Sequence, residues 1–185
     1  MDWMFTLSGF VVGAVVGLTG VGGGSLMTPL LVLLFGIHPA TAVGTDLLYA
    51  AITKAGGTVV HARKGHIDWR VTHLLASGSI PATLLTIWAL SFLPRQSAAV
   101  SQIISVSLGI ALLLTAGAIV FRQRLQNQAL AHADDAAHTR WRAPITVAVG
   151  ALLGLLVTIS SVGAGALGVA VLFYLYPRLP TIRII

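Results

Sequence analysis

Apolar residues run along this chain in long blocks, and the edges and interruptions of those blocks carry more information than any periodicity inside them. A helix that crosses a bilayer needs about 20 mainly apolar residues, and five stretches qualify, at about 4–36, 39–62, 69–93, 96–121 and 144–176. The first is too long for one straight crossing. It is interrupted at Gly20, Gly22, Gly23 and Gly24 and again at Pro29, so it is predicted to split into two shorter helical pieces. Backbone left unpaired inside hydrocarbon is costly and survives only where protein or a water-filled cavity covers it, so a glycine interruption at this depth points to a site. The second block carries Thr45, Asp46 and Lys54. The third holds Pro81, where a kink is expected, and the fifth is again interrupted by small residues. Between the fourth and fifth, RQRLQNQALAHADDAAHTRWR from Arg122 to Arg142 reads as the one polar linker.

Composition agrees with this pattern. Of 185 residues, 56% are hydrophobic and 9% charged, and the mean hydropathy is +0.92, outside the range of a soluble globular domain. The predicted fold class is an all-α, polytopic transmembrane helical bundle. The formal charge of +6 arises from 11 Lys and Arg against 5 acidic residues. It is concentrated between helices and lacks the aromatic interleaving of a nucleic-acid surface, so it is read as topology. Arg63, Lys64 and Arg70 follow the second block and Arg122, Arg124, Arg140 and Arg142 follow the fourth, against Arg95 alone after the third. Both rich regions are placed in the cytoplasm. The amino end is then cytoplasmic if the first block crosses once. With no Cys, disulfides and thiolate metal sites are excluded. The start Met1-Asp2-Trp3 lacks the positive region of a signal peptide, so the first block is expected to be retained. His38, His61, His66, His73, His132 and His138 show no metal-ligand spacing. Trp3, Trp69, Trp88 and Trp141 fall near block ends, as interfacial anchors do.

The chain also repeats itself. Gly13-Ala-Val-Val-Gly17-Leu18 reappears as Gly150-Ala-Leu-Leu-Gly154-Leu155, and Val21-Gly-Gly-Gly-Ser-Leu26 as Val162-Gly-Ala-Gly-Ala-Leu167. Thirteen residues beyond Leu26 and beyond Leu167 comes a proline, Pro39 and Pro180, although the second copy needs about four extra residues to align. The expected organisation is a first repeat at 1–121, a cytoplasmic linker at 122–143 and the start of a second repeat at 144–185.

These motifs carry a resemblance. GLTGVGGGSLMTPLL at 17–31, HPATAVGTDLL at 38–48 and VGAGALGVAVLFYLYPRLP at 162–180 resemble the sulfite exporter TauE/SafE family of membrane permeases, over essentially the whole chain. The resemblance implies two similar halves of about four helices and outward movement of small sulfur-containing anions such as sulfite or sulfoacetate. It also implies a second GTD-like motif after the second proline. The sequence stops at Ile185, about where Val43 and Gly44 lie in the first copy, so the second repeat is expected to be cut short, and two copies pairing would be one way to complete it.

The candidate substrate-binding residues are Gly22, Gly23, Gly24, Ser25, Thr45, Asp46, Gly163 and Gly165. Where the helix restarts near Ser25, exposed N–H groups at a positive dipole end suit a small oxyanion, and the second interruption, with Ser160 and Ser161 beside it, offers a matching set. Gly13, Gly17, Gly150 and Gly154 are read instead as close-packing positions. Asp46 either hydrogen-bonds the broken segment near an aqueous mouth or carries a proton coupled to the anion. Lys54 either attracts the anion or snorkels to the surface. Arg178 and Arg183 either attract the anion at the external mouth or bind headgroups. No nucleotide loop, G-x-S-x-G or HExxH occurs, so no catalytic residue, metal or cofactor is assigned. The expected partners are a small anion and the bilayer of the inner membrane, which the chain crosses several times, with no nucleic acid. A permease for another solute and a non-transporting assembly protein remain as rival functions.

Overall fold

The structure, a computed structural model, describes residues 3–19, 22–94, 97–131, 136–163 and 165–177. Among these residues the chain is all-α: α1 (Trp3–Thr19), a 3-10 turn (Gly23–Ser25), α2 (Met27–Leu33), α3 (Pro39–Arg63), α4 (Trp69–Ser91), α5 (Ala98–Ala131), α6 (Ala136–Ser160) and α7 (Ala166–Leu175). Three stretches are long and apolar enough to cross a membrane, Trp69–Ser91, Ala98–Phe121 and Trp141–Ser160. Helix α3 has the length, at 25 residues, but is not one of them. Thr41, Thr45, Asp46, Thr53, Lys54 and Thr58 make it too polar.

Local chemistry sets the boundaries. Pro39 opens α3 at its first turn, where the missing N–H removes no helical bond. Gly65, at φ 68°, turns the chain after α3 in the left-handed region that favours glycine. Asp68 then caps α4, its Oδ1 accepting from the amides of Arg70 at 3.1 Å and Val71 at 3.2 Å. Asp68→Ala is expected to destabilise the protein by about 1 kcal/mol, read as a lower unfolding temperature in detergent, and a change to Asn by less. Pro81 lies inside α4, which is helical on both sides of it.

Two expectations are corrected here. Pro29 does not interrupt the first block; it sits in the first turn of α2, where proline is tolerated. Nor does the helix of the fourth block stop at Phe121. Helix α5 continues to Ala131 and α6 begins at Ala136, because Gln, Arg, Leu and Ala are good helix formers whatever their hydropathy; residues 132–135 lie outside the described residues.

Packing places α4 and α6 against each other as parallel helices. A Cβ built on Gly150 would run into the Leu75 carbonyl, one on Gly154 would lie 2.6 Å from the Ser79 carbonyl oxygen, and one on Gly78 would strike the Val147 carbonyl. Further along, the Thr158 hydroxyl donates to Thr83 Oγ1 at 3.2 Å and to the Gly154 carbonyl at 2.6 Å. The contacts advance in the same direction on both helices, so the starts of α4 and α6, and the basic residues beside them, lie at one end of the bundle. The packing reading thus holds at Gly150 and Gly154. At Gly13 a Cβ would meet only the Tyr49 hydroxyl at 3.5 Å, and at Gly17 nothing within 4 Å.

Helix α5 is the common wall. Val100, Ile104, Leu108 and Ala111 form its buried stripe at helical spacing. Val43 of α3 packs on the first two and Val162, just past α6, on the last two. Helix α3 and the second interruption therefore rest against one helix. Outward, Leu84, Leu85, Trp88, Leu113 and Val120 are exposed, as lipid-facing side chains of a membrane protein are. The four Trp residues are exposed near helix ends.

Candidate functional site

The site is assembled from two turns that interrupt helices and one side chain between them. At the first turn, α1 has ended at Thr19 and Gly22 stands at φ 97°, a conformation that L side chains rarely adopt. The 3-10 turn then closes with i→i+3 bonds: the Ser25 amide donates to the Gly22 carbonyl at 3.3 Å and the Leu26 amide to the Gly23 carbonyl at 3.0 Å. The Ser25 hydroxyl also donates to the Gly22 carbonyl, at 2.8 Å. The tighter turn thus uses the amides of Ser25 and Leu26 within itself. At the second turn, α6 ends at Ser160, Ser161 stands at φ 61° and Gly163 at φ 115°. The Ser160 hydroxyl bonds back to the Leu156 carbonyl at 2.7 Å, and its oxygen accepts the Val162 amide at 3.3 Å. A serine in the left-handed region is uncommon and costs free energy that surrounding contacts must offset.

The two turns touch. A Cβ on Gly22 would lie 3.5 Å from the Gly165 Cα, and one on Gly24 would fall inside the Ser161 carbonyl group and 2.9 Å from Asp46 Oδ2. Residues more than 130 positions apart in sequence thus meet backbone to backbone, which only glycine at position 24 permits.

Asp46 of α3 ties them together. Its side chain is fully buried. Oδ2 accepts the Thr28 hydroxyl at 3.0 Å and also the Ser161 hydroxyl, one donor from each turn region. Oδ1 has no hydrogen-bond partner and faces Gly23, where a Cβ would stand 3.6 Å away. A buried carboxylate is retained only where partners or function compensate its desolvation.

Of the residues singled out from sequence, Gly22, Gly23, Gly24, Asp46 and Gly165 are brought together, with Ser25 beside them and Gly163 buried two residues from Ser161. Thr45 is not. It is exposed, and its hydroxyl donates to the Thr41 carbonyl one turn back on its own helix at 2.9 Å. Lys54 is exposed two turns along α3. Arg178 and Arg183 lie outside the described residues, as do Gly20 and Val21. Sequence reasoning did not single out Thr28, the lone hydroxyl in the first turn of α2, or Gly78, the α4 side of the glycine seam.

Chemically, the arrangement offers irregular backbone from two turns beside one carboxylate. A solute anion docked against Gly23 would lie near Asp46. Two unit charges about 5 Å apart repel by about 3 kcal/mol at an effective dielectric near 20, so a dianionic pair at this point needs neutralising.

Comparison with known proteins gives the family. The family model described as "Sulfite exporter TauE/SafE" matches residues 5–185. The "Probable membrane transporter protein YjnA" of Bacillus subtilis (strain 168) is 39% identical over 176 residues, which cover 95% of this chain and 69% of that protein. YunE of the same organism, also called a probable membrane transporter protein, is 41% identical over 70 residues, 38% of this chain and 26% of its own. A probable membrane transporter protein of Xylella fastidiosa (strain Temecula1 / ATCC 700964) is 39% identical over 70 residues, 37% of this chain and 27% of its own. No solved structure matches the chain. With its model matched from residue 5 to the last residue, the chain belongs to the sulfite exporter TauE/SafE family of membrane proteins.

Proposed function

We propose that this chain acts as a permease, not a catalyst, exporting a small anion, sulfite or an organosulfonate of the sulfoacetate kind, across the inner membrane, which it crosses several times. The observation that carries the reading is the contact between the two turns: irregular backbone from Gly22–Gly24 and from Ser161, Gly163 and Gly165 is gathered beside the buried Asp46, where a spanning bundle otherwise keeps its backbone bonded within helices. The proposed solute site is Gly22, Gly23, Gly24, Gly163 and Gly165 with Asp46. The family description supports the anion class. The pairing of the two turns also supports an internal duplication, with the polar helical region around 122–143 as the joint and both basic ends in the cytoplasm.

One observation favours a second reading. A carboxylate at the meeting point suits a neutral or cationic solute better than an anion, which keeps a permease for another small solute in view. Purified protein in proteoliposomes, offered sulfite, sulfoacetate, sulfate and chloride, is expected to show saturable flux for at least one of the sulfur anions and weak flux for chloride. Equal, unsaturable leakage of all four would overturn the anion assignment.

A further inference from the structure

Asp46 has a feature that binding an anion does not use. Both hydroxyls that reach it, from Thr28 and Ser161, converge on Oδ2, while Oδ1 is buried, unpartnered and turned to the glycine turn. No cation compensates it at close range among the described residues. The groups facing it are Gly23, Gly24 and Thr28 from the first turn and α2, and Ser161 from the second turn. The α5 wall adds apolar Val100 and Ile104 through Val43 and Leu47. Tyr49, one turn on, lies beside Gly13 of α1. Among the described residues of α3, the nearest charged side chain along the helix is Lys54, exposed and two turns away. Helices α1 and α2 contain no ionisable side chain.

Resting on the anion-permease reading, we propose that Asp46 is the proton-binding site of the transporter, loading together with the anionic solute. When the anion docks against Gly23, Oδ1 takes up one proton from hydronium or buffer acid of the aqueous phase, which removes the second negative charge from the contact. When the anion departs, the same O–H bond breaks and the proton leaves with it. Oδ2 keeps its two hydroxyl donors in both states, so Thr28 and Ser161 hold the carboxyl group in place while only Oδ1 changes. Proton and anion then favour each other's binding by the same factor, as linkage requires, and they move in the same direction.

The test uses methanesulfonate as probe, because a sulfonate stays ionised throughout the range. Its binding to the purified protein in detergent is measured by titration calorimetry from pH 5 to 8, in two buffers of different ionisation enthalpy, which reports protons taken up per anion bound. The wild type is expected to approach one proton per anion in the upper part of this range, with affinity falling by up to about tenfold per pH unit. Asp46→Asn is expected to show no proton uptake and a flat pH profile. Methanesulfonate binding without proton uptake in the wild type, or uptake that persists in Asp46→Asn, overturns the proton site while leaving the anion permease standing. No binding of methanesulfonate, sulfite or sulfoacetate at any pH overturns the anion reading, and the proton site with it. Should the Asn variant not be recovered as a single folded species, the proton count of the wild type decides.

Discussion

Gly24→Ala is expected to abolish anion flux and to lower stability by about 1–3 kcal/mol, the range for an extra methyl group forced into a packed core. The added carbon has no room. It would overlap the Ser161 carbonyl group and press to 2.9 Å on Asp46 Oδ2, and neither atom is the free end of a flexible chain. Ser161 is already held at positive φ, and Asp46 is fixed by two hydroxyls. The two turns must therefore separate, breaking the Ser161 to Asp46 bond. Gly23→Ala is the control one residue away: its Cβ would stand 3.6 Å from Asp46 Oδ1, an ordinary contact, and its effect on stability is expected to stay within about 1 kcal/mol. Thermal unfolding in detergent and flux in proteoliposomes check both. A Gly24→Ala protein as stable and as active as the wild type would mean that the two turns do not meet as described.

That contrast between neighbouring glycines marks how far the site was legible in the sequence. Three consecutive glycines in an apolar block announce an interruption, but not which of them faces another backbone, since that depends on a segment beyond residue 160. Asp46 was legible because a carboxylate in such a block is rare. Thr45, its neighbour, was carried along by adjacency, yet consecutive residues on a helix point about 100° apart, and Thr45 turns to its own helix. Thr28 stayed hidden because a threonine in an apolar helix can satisfy its hydroxyl on a carbonyl one turn back, as Thr45, Thr53 and Thr86 do here. The block edges at Pro39 and Trp69 were legible as the edges of apolar runs. The helical stretches inside the polar region, 122–131 and 136–143, were not, because hydropathy reports which solvent a segment prefers and says little about whether its backbone is helical.

The largest effect away from the site is expected at the α4–α6 seam. Gly150→Val would drive a branched side chain into the Leu75 carbonyl, and Gly78→Val would do the same against Val147 from the other helix. In a membrane, helices associate through close packing and polar contacts, with little hydrophobic drive, so a seam pushed apart also loses the bonds of the Thr83 hydroxyl to Thr158 and to the Gly154 carbonyl. Each variant is expected to cost about 2–4 kcal/mol, at the upper end of single-substitution effects, read as a lower unfolding temperature in detergent. The double variant should cost less than the sum, because one opened seam relieves both clashes. Gly17→Ala makes the comparison sharp: with nothing within 4 Å of its Cβ and a position inside α1, it is expected to be neutral or to stabilise by about 0.5–1 kcal/mol through backbone entropy. The two glycine pairs look alike in sequence, so opposite signs for the matched changes Gly150→Ala and Gly17→Ala can come only from the helix that one meets and the other does not. Equal costs at both positions would show that propensity, not α4, governs the seam.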